Sequence, residues 1–148
     1  MATYNGFNYT NATPQPAPVG AAGKLVVLDS GLVSVTANLA NADGGTLFTA
    51  PAGFTVLATF IEATDMDTDG APTAVINVGD AGSATRLVSG STVAQAGTAA
   101  QSVTTAGLGY QYTANTAVTW VIPTGPATGT TGSLRVWVIG YYAALVFS

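Results

Sequence analysis

The sequence predicts an all-β fold, a jelly-roll-like antiparallel β-sandwich with an extended N-terminal arm. Three observations predict it. From Gly23 onward, short apolar stretches are separated by clusters of Gly, Pro, Asp and Asn, the pattern of a sandwich or barrel. No stretch holds a helical period for three turns. Finally, 48% of the 148 residues are apolar and only 7% are charged, against about 25% charged in an ordinary soluble domain. Such a chain has material for a core and lacks the composition of disorder.

The arm spans residues 1–22 and the sandwich domain residues 23–148. In the arm, Pro14, Pro16 and Pro18 hold the backbone near polyproline II and remove ladder donors, so this segment cannot be a central strand. Tyr4, Phe7 and Tyr9 give it an aromatic start, which suits packing onto the domain or onto a neighbour. Strands are expected at 24–28, 32–39, 46–49, 54–62, 73–78, 86–88, 109–113, 117–122 and 133–142. Turn chemistry separates them: Asp29-Ser30-Gly31, the 41–45 run ending in Gly44-Gly45, Pro51-Ala52-Gly53, and Pro123-Thr124-Gly125. Between Ser91 and Gly97 a short helical turn is expected, with Ser91 as cap and Gly97 as terminator. Eight or nine strands joined by short and long connections fit a jelly roll or a related Greek-key sandwich.

Alternation assigns faces. In 32–39, Val33, Val35, Ala37 and Leu39 form a core face opposite Ser34, Thr36 and Asn38. In 54–62, Phe54, Val56, Ala58 and Phe60 share one face, opposed by Leu57 and Ile61. The last strand is apolar on both sides, with Leu134, Val136, Val138 and Tyr142 on one face and Trp137, Ile139 and Tyr141 on the other. A sandwich strand has one side facing its own core, so the second apolar face needs a cover. A homo-oligomer burying Trp137, Ile139 and Tyr141 is expected, with the arm as the competing cover.

Composition excludes most chemistry. The chain has no histidine and no cysteine, which removes disulfides, thiolate and imidazole metal sites, and triads built on either residue. Three basic residues against seven acidic ones leave no phosphate-neutralising surface, so nucleic acid is not an expected partner. The longest uncharged apolar run, Val136 to Phe147, is twelve residues, short of the roughly 20 a membrane helix needs, and no membrane association is expected. Neither a basic n-region nor an apolar h-region opens the chain, so a signal peptide is not expected and the acceptor patterns at Asn8 and Asn11 read as chance.

Charge concentrates between Glu62 and Asp69. Asp65, Asp67 and Asp69 followed by Gly70 reproduce the first half of a calcium loop, in which alternate carboxylates converge on one hard cation. Ile76 stands where the bidentate Glu belongs, so an EF-hand is excluded. A structural calcium completed by Asp80 or by backbone carbonyls stays open beside the reading in which the aspartates make Asx turns in a polar loop. No catalytic residues and no other cofactor are expected. The carboxylates sit on one loop without the side chains that surround a sugar cleft, which argues against glycoside hydrolysis. Lys24, Arg86 and Arg135 stand isolated, although Arg135 shares a face with Trp137 and could stack on it or pair with a carboxylate. Trp120 and Trp137 could form a sugar platform, but their strands, V-T-W-V-I and V-W-V-I, suit core or interface positions better.

The run from Asp65 to Asp80, the segment Ser91-Thr92-Val93-Ala94-Gln95-Ala96-Gly97, and Tyr110-Gln111-Tyr112-Thr113 before an apolar strand resemble small structural proteins of tailed-bacteriophage virions. The similarity spans about residues 46 to 142 and leaves the arm outside. The resemblance implies a non-enzymatic capsid decoration, or cement, protein. Such a protein would be a homotrimer made in the host cytoplasm, sitting on the outer surface of the capsid and stabilising the shell by contact with the major capsid protein. The arm residues Tyr4, Phe7 and Tyr9 would supply that contact. Two other functions remain open on the sequence, a receptor-binding tail fibre or knob and a carbohydrate-binding module.

Overall fold

The computed structural model describes residues 25–102 and 104–142. The arm, including Tyr4, Phe7 and Tyr9, lies outside the described residues. Nine strands follow in order: β1 Leu25–Asp29, β2 Val33–Val35, β3 Gly44–Ala50, β4 Phe54–Ala63, β5 Val75–Asp80, β6 Ser83–Ser91, β7 Ala99–Gln101, β8 Thr116–Thr124 and β9 Gly132–Tyr142. They form two antiparallel sheets. One has the order β1-β9-β4-β7, with β2 also beside β9, and the other has the order β3-β8-β5-β6.

This is the jelly roll that the alternation predicts. β1 and β2 are two pieces of one edge position, and both pair with β9. Inside that pair nests β3 with β8, then β4 with β7, then the β5–β6 hairpin. One long hairpin has therefore been rolled up, and the added pairs β4–β9 and β5–β8 close the two sheets. The core lies between them, built from Leu47, Phe54, Ile61, Ile76, Leu87, Trp120, Ile122 and Leu134 among others.

Several expected features move, each for a local reason. Strand β2 stops at Val35 because its partner strand begins at Gly132. Alternation then lapses, Ala37 is exposed, and Leu39 returns to the core alone. Strand β5 begins at Val75 rather than Thr73, because the N–H groups of Thr73 and Ala74 are taken by the Asp67 carboxylate. The 109–113 segment is not a regular strand; it runs beside the first half of β4 with one bridge, Thr55 to Gln111. The short β7, which carries no apolar alternation, takes the edge beside the second half of β4. The helical turn is a single 3₁₀ turn, Val93–Gln95, preceded by Thr92 rather than Ser91, without a side-chain cap. Gly97, at φ +62°, ends it as expected.

The most consequential departure is in β4. The register against β9 shifts between Val56 and Ala58, a β-bulge that places one extra residue on β4 and reverses its later faces. Phe54 and Val56 point inward, but beyond the bulge Thr59 and Ile61 point inward while Ala58 and Phe60 point outward. Phe60 therefore leaves the core face expected for it. Opposite the bulge lies Gly140, where a Cβ would sit 2.2 Å from the Thr55 carbonyl oxygen. Only glycine lets the two backbones approach this closely.

Candidate assembly interface

The two sheets differ on their outward faces. On the β3-β8-β5-β6 sheet the outward positions include Thr46, Thr49, Asn77, Thr119 and Val121, most of them carrying hydroxyl or amide groups. The β1-β9-β4-β7 sheet presents apolar side chains in rows. Leu25 stands beside Tyr141, Val27 beside Ile139, Ile139 beside Ala58, and Trp137 beside Phe60. Leu25 is 70% exposed, Val27 45% and the bulged Leu57 38%, while Trp137, Ile139 and Tyr141 are half-buried. Trp137 and Phe60 stack with centroids 5.5 Å apart and planes at 7°. The bulge makes this pairing, because without it Phe60 would point into the core. The last strand is thus apolar on both faces as the sequence predicts, and among the described residues nothing covers its outer one.

One end of this face is polar. Arg135 is bound through both nitrogen arms to Asp29, with Nε donating to Oδ1 at 3.0 Å and Nη2 donating to Oδ2. Its guanidinium carbon lies 5.5 Å from the Trp137 ring centroid. Arg135 therefore pairs within the chain and lies beside the ring at once. The Arg135 guanidinium is the main reason the Asp29 carboxyl lies below the ordinary range. Beside it, Glu62, Ala63, Thr98, Ala99, Leu134 and Leu32 line an open cleft of about 360 Å³.

The aspartate loop is spent on its own backbone. Asp65 Oδ1 accepts the Asp67 N–H at 3.2 Å and Asp67 Oδ1 accepts the Asp69 N–H at 3.3 Å, two successive Asx turns. Asp67, only 1% exposed, also accepts from Thr73 and Ala74 through Oδ2, both at 2.7 Å. Asp69 Oδ2 accepts from Ala127 and Thr128 at 2.7 and 3.0 Å, tying the loop to the segment before β9. Hydrogen bonding from Thr128 leads the causes that hold the Asp69 carboxyl low. Among the described residues no three acidic, His or Cys side chains stand together as a metal-binding group. Calorimetric titration with Ca²⁺ on chelator-washed protein is expected to show no saturable binding tighter than about 1 mM, the weak end for protein calcium sites.

Asp80, a candidate further carboxylate for that loop, is committed elsewhere. Arg86 Nε donates to its Oδ2 at 2.5 Å and Nη2 to its Oδ1 at 3.1 Å, and both side chains are largely buried. Arg86 also lies over Tyr110, with Cζ 3.8 Å from the ring centroid, and its carbonyl accepts the Thr104 hydroxyl. Arg86, isolated in the sequence, is therefore the anchor of the 104–112 loop. A signal for it was present: Asp80-Ala81-Gly82-Ser83 is a hairpin turn, and folding there brings Asp80 and Arg86 to one end of the pair. Burial pushes the Tyr112 hydroxyl up, and the Asp80 carboxylate acts in the same direction. Trp120 is 1% exposed and belongs to the core, so it cannot serve in a sugar platform.

No protein-family model matches the sequence, and no curated protein matches it either. Solved structures do. A chain of the cyanophage Pam1 capsid asymmetric unit is 41% identical, with a TM-score of 0.74, over 95% of this chain and 99% of that one. A chain of the capsid of Ralstonia phage GP4 is 24% identical, with a TM-score of 0.70, over 89% and 90%. A chain of the acid-stable capsid of the Helicobacter pylori bacteriophage KHP30 is 13% identical, with a TM-score of 0.59, over 81% and 89%. The last two share the fold; the first is close enough, along nearly its whole length, to share ancestry. This chain therefore belongs to a family of bacteriophage capsid structural proteins that includes its cyanophage Pam1 relative.

Proposed function

We propose that this chain is a decoration, or cement, protein: a non-enzymatic homotrimer on the outer surface of the head, made in the host cytoplasm, that stabilises the shell. Its subunits meet through the outer face of the β1-β9-β4-β7 sheet, with Trp137, Ile139 and Tyr141 at the centre. The arm residues Tyr4, Phe7 and Tyr9 reach the major capsid protein. The observation that supports this reading is the contrast between the two outer faces, one hydroxyl-rich and one apolar, in a chain whose relative comes from a phage capsid. Fully burying one large aliphatic side chain stabilises by about 1.5–3 kcal/mol. Leu25, Val27, Leu57 and Ile139 together therefore supply a strong reason to associate, and the paired Arg135 and Asp29 at the rim add direction rather than affinity.

Sedimentation of the full chain at micromolar concentration tests the proposal. Wild type is expected to run as one oligomer, and Ile139→Glu as a monomer with unchanged β-sheet circular dichroism, because Ile139 lies outside the core. A wild-type chain that stays monomeric would overturn the interface. Electron microscopy of particles is expected to show many copies over the head; copies confined to a vertex or tail would overturn the decoration role.

A further inference from the structure

The edge of β4 is covered in two unlike pieces. Along its second half β7 pairs in register, from Phe60 with Gln101 to Glu62 with Ala99. Along its first half the 104–112 segment takes the edge without being a regular strand. Gly53 N donates to Tyr112 O at 2.6 Å and Tyr112 N to Phe54 O at 2.9 Å, while Val56 N donates to Tyr110 O at 3.0 Å and Gly109 N to Val56 O at 2.9 Å. These bonds occupy the N–H groups of Gly53 and Val56 and the carbonyls of Phe54 and Val56. Left open, such groups are a template for a further strand.

The segment is held by hydrogen bonds more than by burial. Within it only Gly107 and Tyr112 are buried, and Leu108 at its tip is 59% exposed. The Tyr112 hydroxyl has no hydrogen-bond partner among the described residues, so closure leaves a buried polar group unpaired. A turn inside the segment is complete in itself: Thr104 O accepts from Gly107 N and Leu108 N, and Gly107 O accepts from Tyr110 N, all at 3.0 Å. Arg86 fastens this turn to the sandwich. Its carbonyl accepts the Thr104 hydroxyl, its guanidinium lies over Tyr110, and a Cβ on Gly107 would stand 2.3 Å from the same carbonyl oxygen. A region with few buried apolar contacts and its own hydrogen-bond pattern opens at a lower free energy than the whole fold.

We propose that residues 104–112 form a guard over the edge of β4 that opens and closes as one unit, with Arg86 as its latch, while the rest of the sandwich stays folded. Opening breaks the cross-bonds together, because the internal turn keeps Gly109 and Tyr110 in step and Tyr112 carries the other two bonds. It uncovers β4 from Gly53 to Val56 and leaves β7 in place on the other half. Asp80 holds Arg86 in position throughout, since their pairing lies within the β5–β6 hairpin and outside the moving segment. The open form presents free N–H and C=O groups at a sheet edge, so the latch protects the chain from unwanted strand pairing. The inference concerns the chain's own fold and stands apart from the decoration proposal.

Amide hydrogen exchange on the full chain under native conditions tests the guard. In wild type the N–H groups of Gly53, Val56, Gly109 and Tyr112 are expected to share one opening constant, at least about 10-fold larger than that of Val138 on β9, which has neighbours on both sides. Thr104→Val removes the hydroxyl from the latch and leaves the Asp80–Arg86 pair intact. It is expected to raise all of these constants by a common factor of about 3 to 10, the scale of one neutral hydrogen bond, with Val138 unchanged. Gly107→Ala, whose Cβ collides with the Arg86 carbonyl, is expected to act in the same direction. Constants that are unequal among the guard amides beyond measurement error, a guard as well protected as Val138, or variants that shift Val138 by the same factor would each overturn the proposal.

Discussion

Replacing Asp67 with alanine is expected to lower the unfolding free energy by about 3 kcal/mol, since a buried backbone donor left without a partner costs about 1–3 kcal/mol. The Asp67 carboxylate accepts three N–H groups, from Asp69, Thr73 and Ala74. Ala74 is fully buried at the entry to β5, so its N–H cannot turn to water when the acceptor is removed. Thr73 is exposed and recovers part of its loss. Asp67→Asn keeps one carbonyl oxygen in place and is expected to lose about 1 kcal/mol, the scale of exchanging a charge-assisted hydrogen bond for a neutral one. Chemical denaturation followed by tryptophan fluorescence measures both, because Trp120 lies in the core and reports global unfolding. Equal stability of Asp67→Ala and wild type would mean that the loop is not held by this carboxylate.

Removing the cation from the Asp80–Arg86 pair is the second large effect. Arg86→Met is expected to cost about 3–4 kcal/mol, because it strands a buried carboxylate. Asp80 would keep only the Gly82 and Ser83 N–H groups, and the 104–112 loop would lose its stacking partner under Tyr110. The double variant Asp80→Asn with Arg86→Met is expected to be more stable than Arg86→Met alone, since it removes the stranded charge and retains an acceptor for the turn. The same pair gives a pH dependence. Burial pulls the Asp80 carboxyl up, but the Arg86 guanidinium and the two turn N–H groups outweigh it and leave its pKa below the ordinary value. Below about pH 4, the usual unfolded carboxylate range, the unfolded chain binds the proton first. The contribution is therefore full above that pH and disappears as pH falls through the depressed native value. Asp80→Asn is expected to flatten the loss of stability over this acid window in denaturation series at several pH values.

Much of the fold is legible in the residues because half-buried strands write their burial as alternation. The paired apolar rows of β9 are the best case, and the candidate interface follows from them. The Asx-turn reading of the aspartate loop was likewise open, since Asp at every second position with a following Gly is turn chemistry as much as ligand chemistry. Arg86 was harder to place: its partner lies across a hairpin, and nothing in composition separates a buried pair from two exposed charges. Strand β7 could not be seen at all. Its Ala-Ala-Gln sequence carries no pattern, and it is a strand because β4 offers it an edge.

The scarcity of charge, the positions of the turns and the two-sided apolar character of the last strand are properties of the sequence itself, and they determined the sandwich. The tertiary structure decided where the alternation is interrupted, and so which side of a strand faces the core beyond the break. In β4 the extra residue at the bulge turns Phe60 outward onto Trp137 and Ile61 inward, against a continuous reading of the alternation. The cause is not local to β4. A bulge forms where the facing strand permits it, and here Gly140 on β9 lets the backbone come close, so the composition of the outer apolar face was settled only when the two strands met.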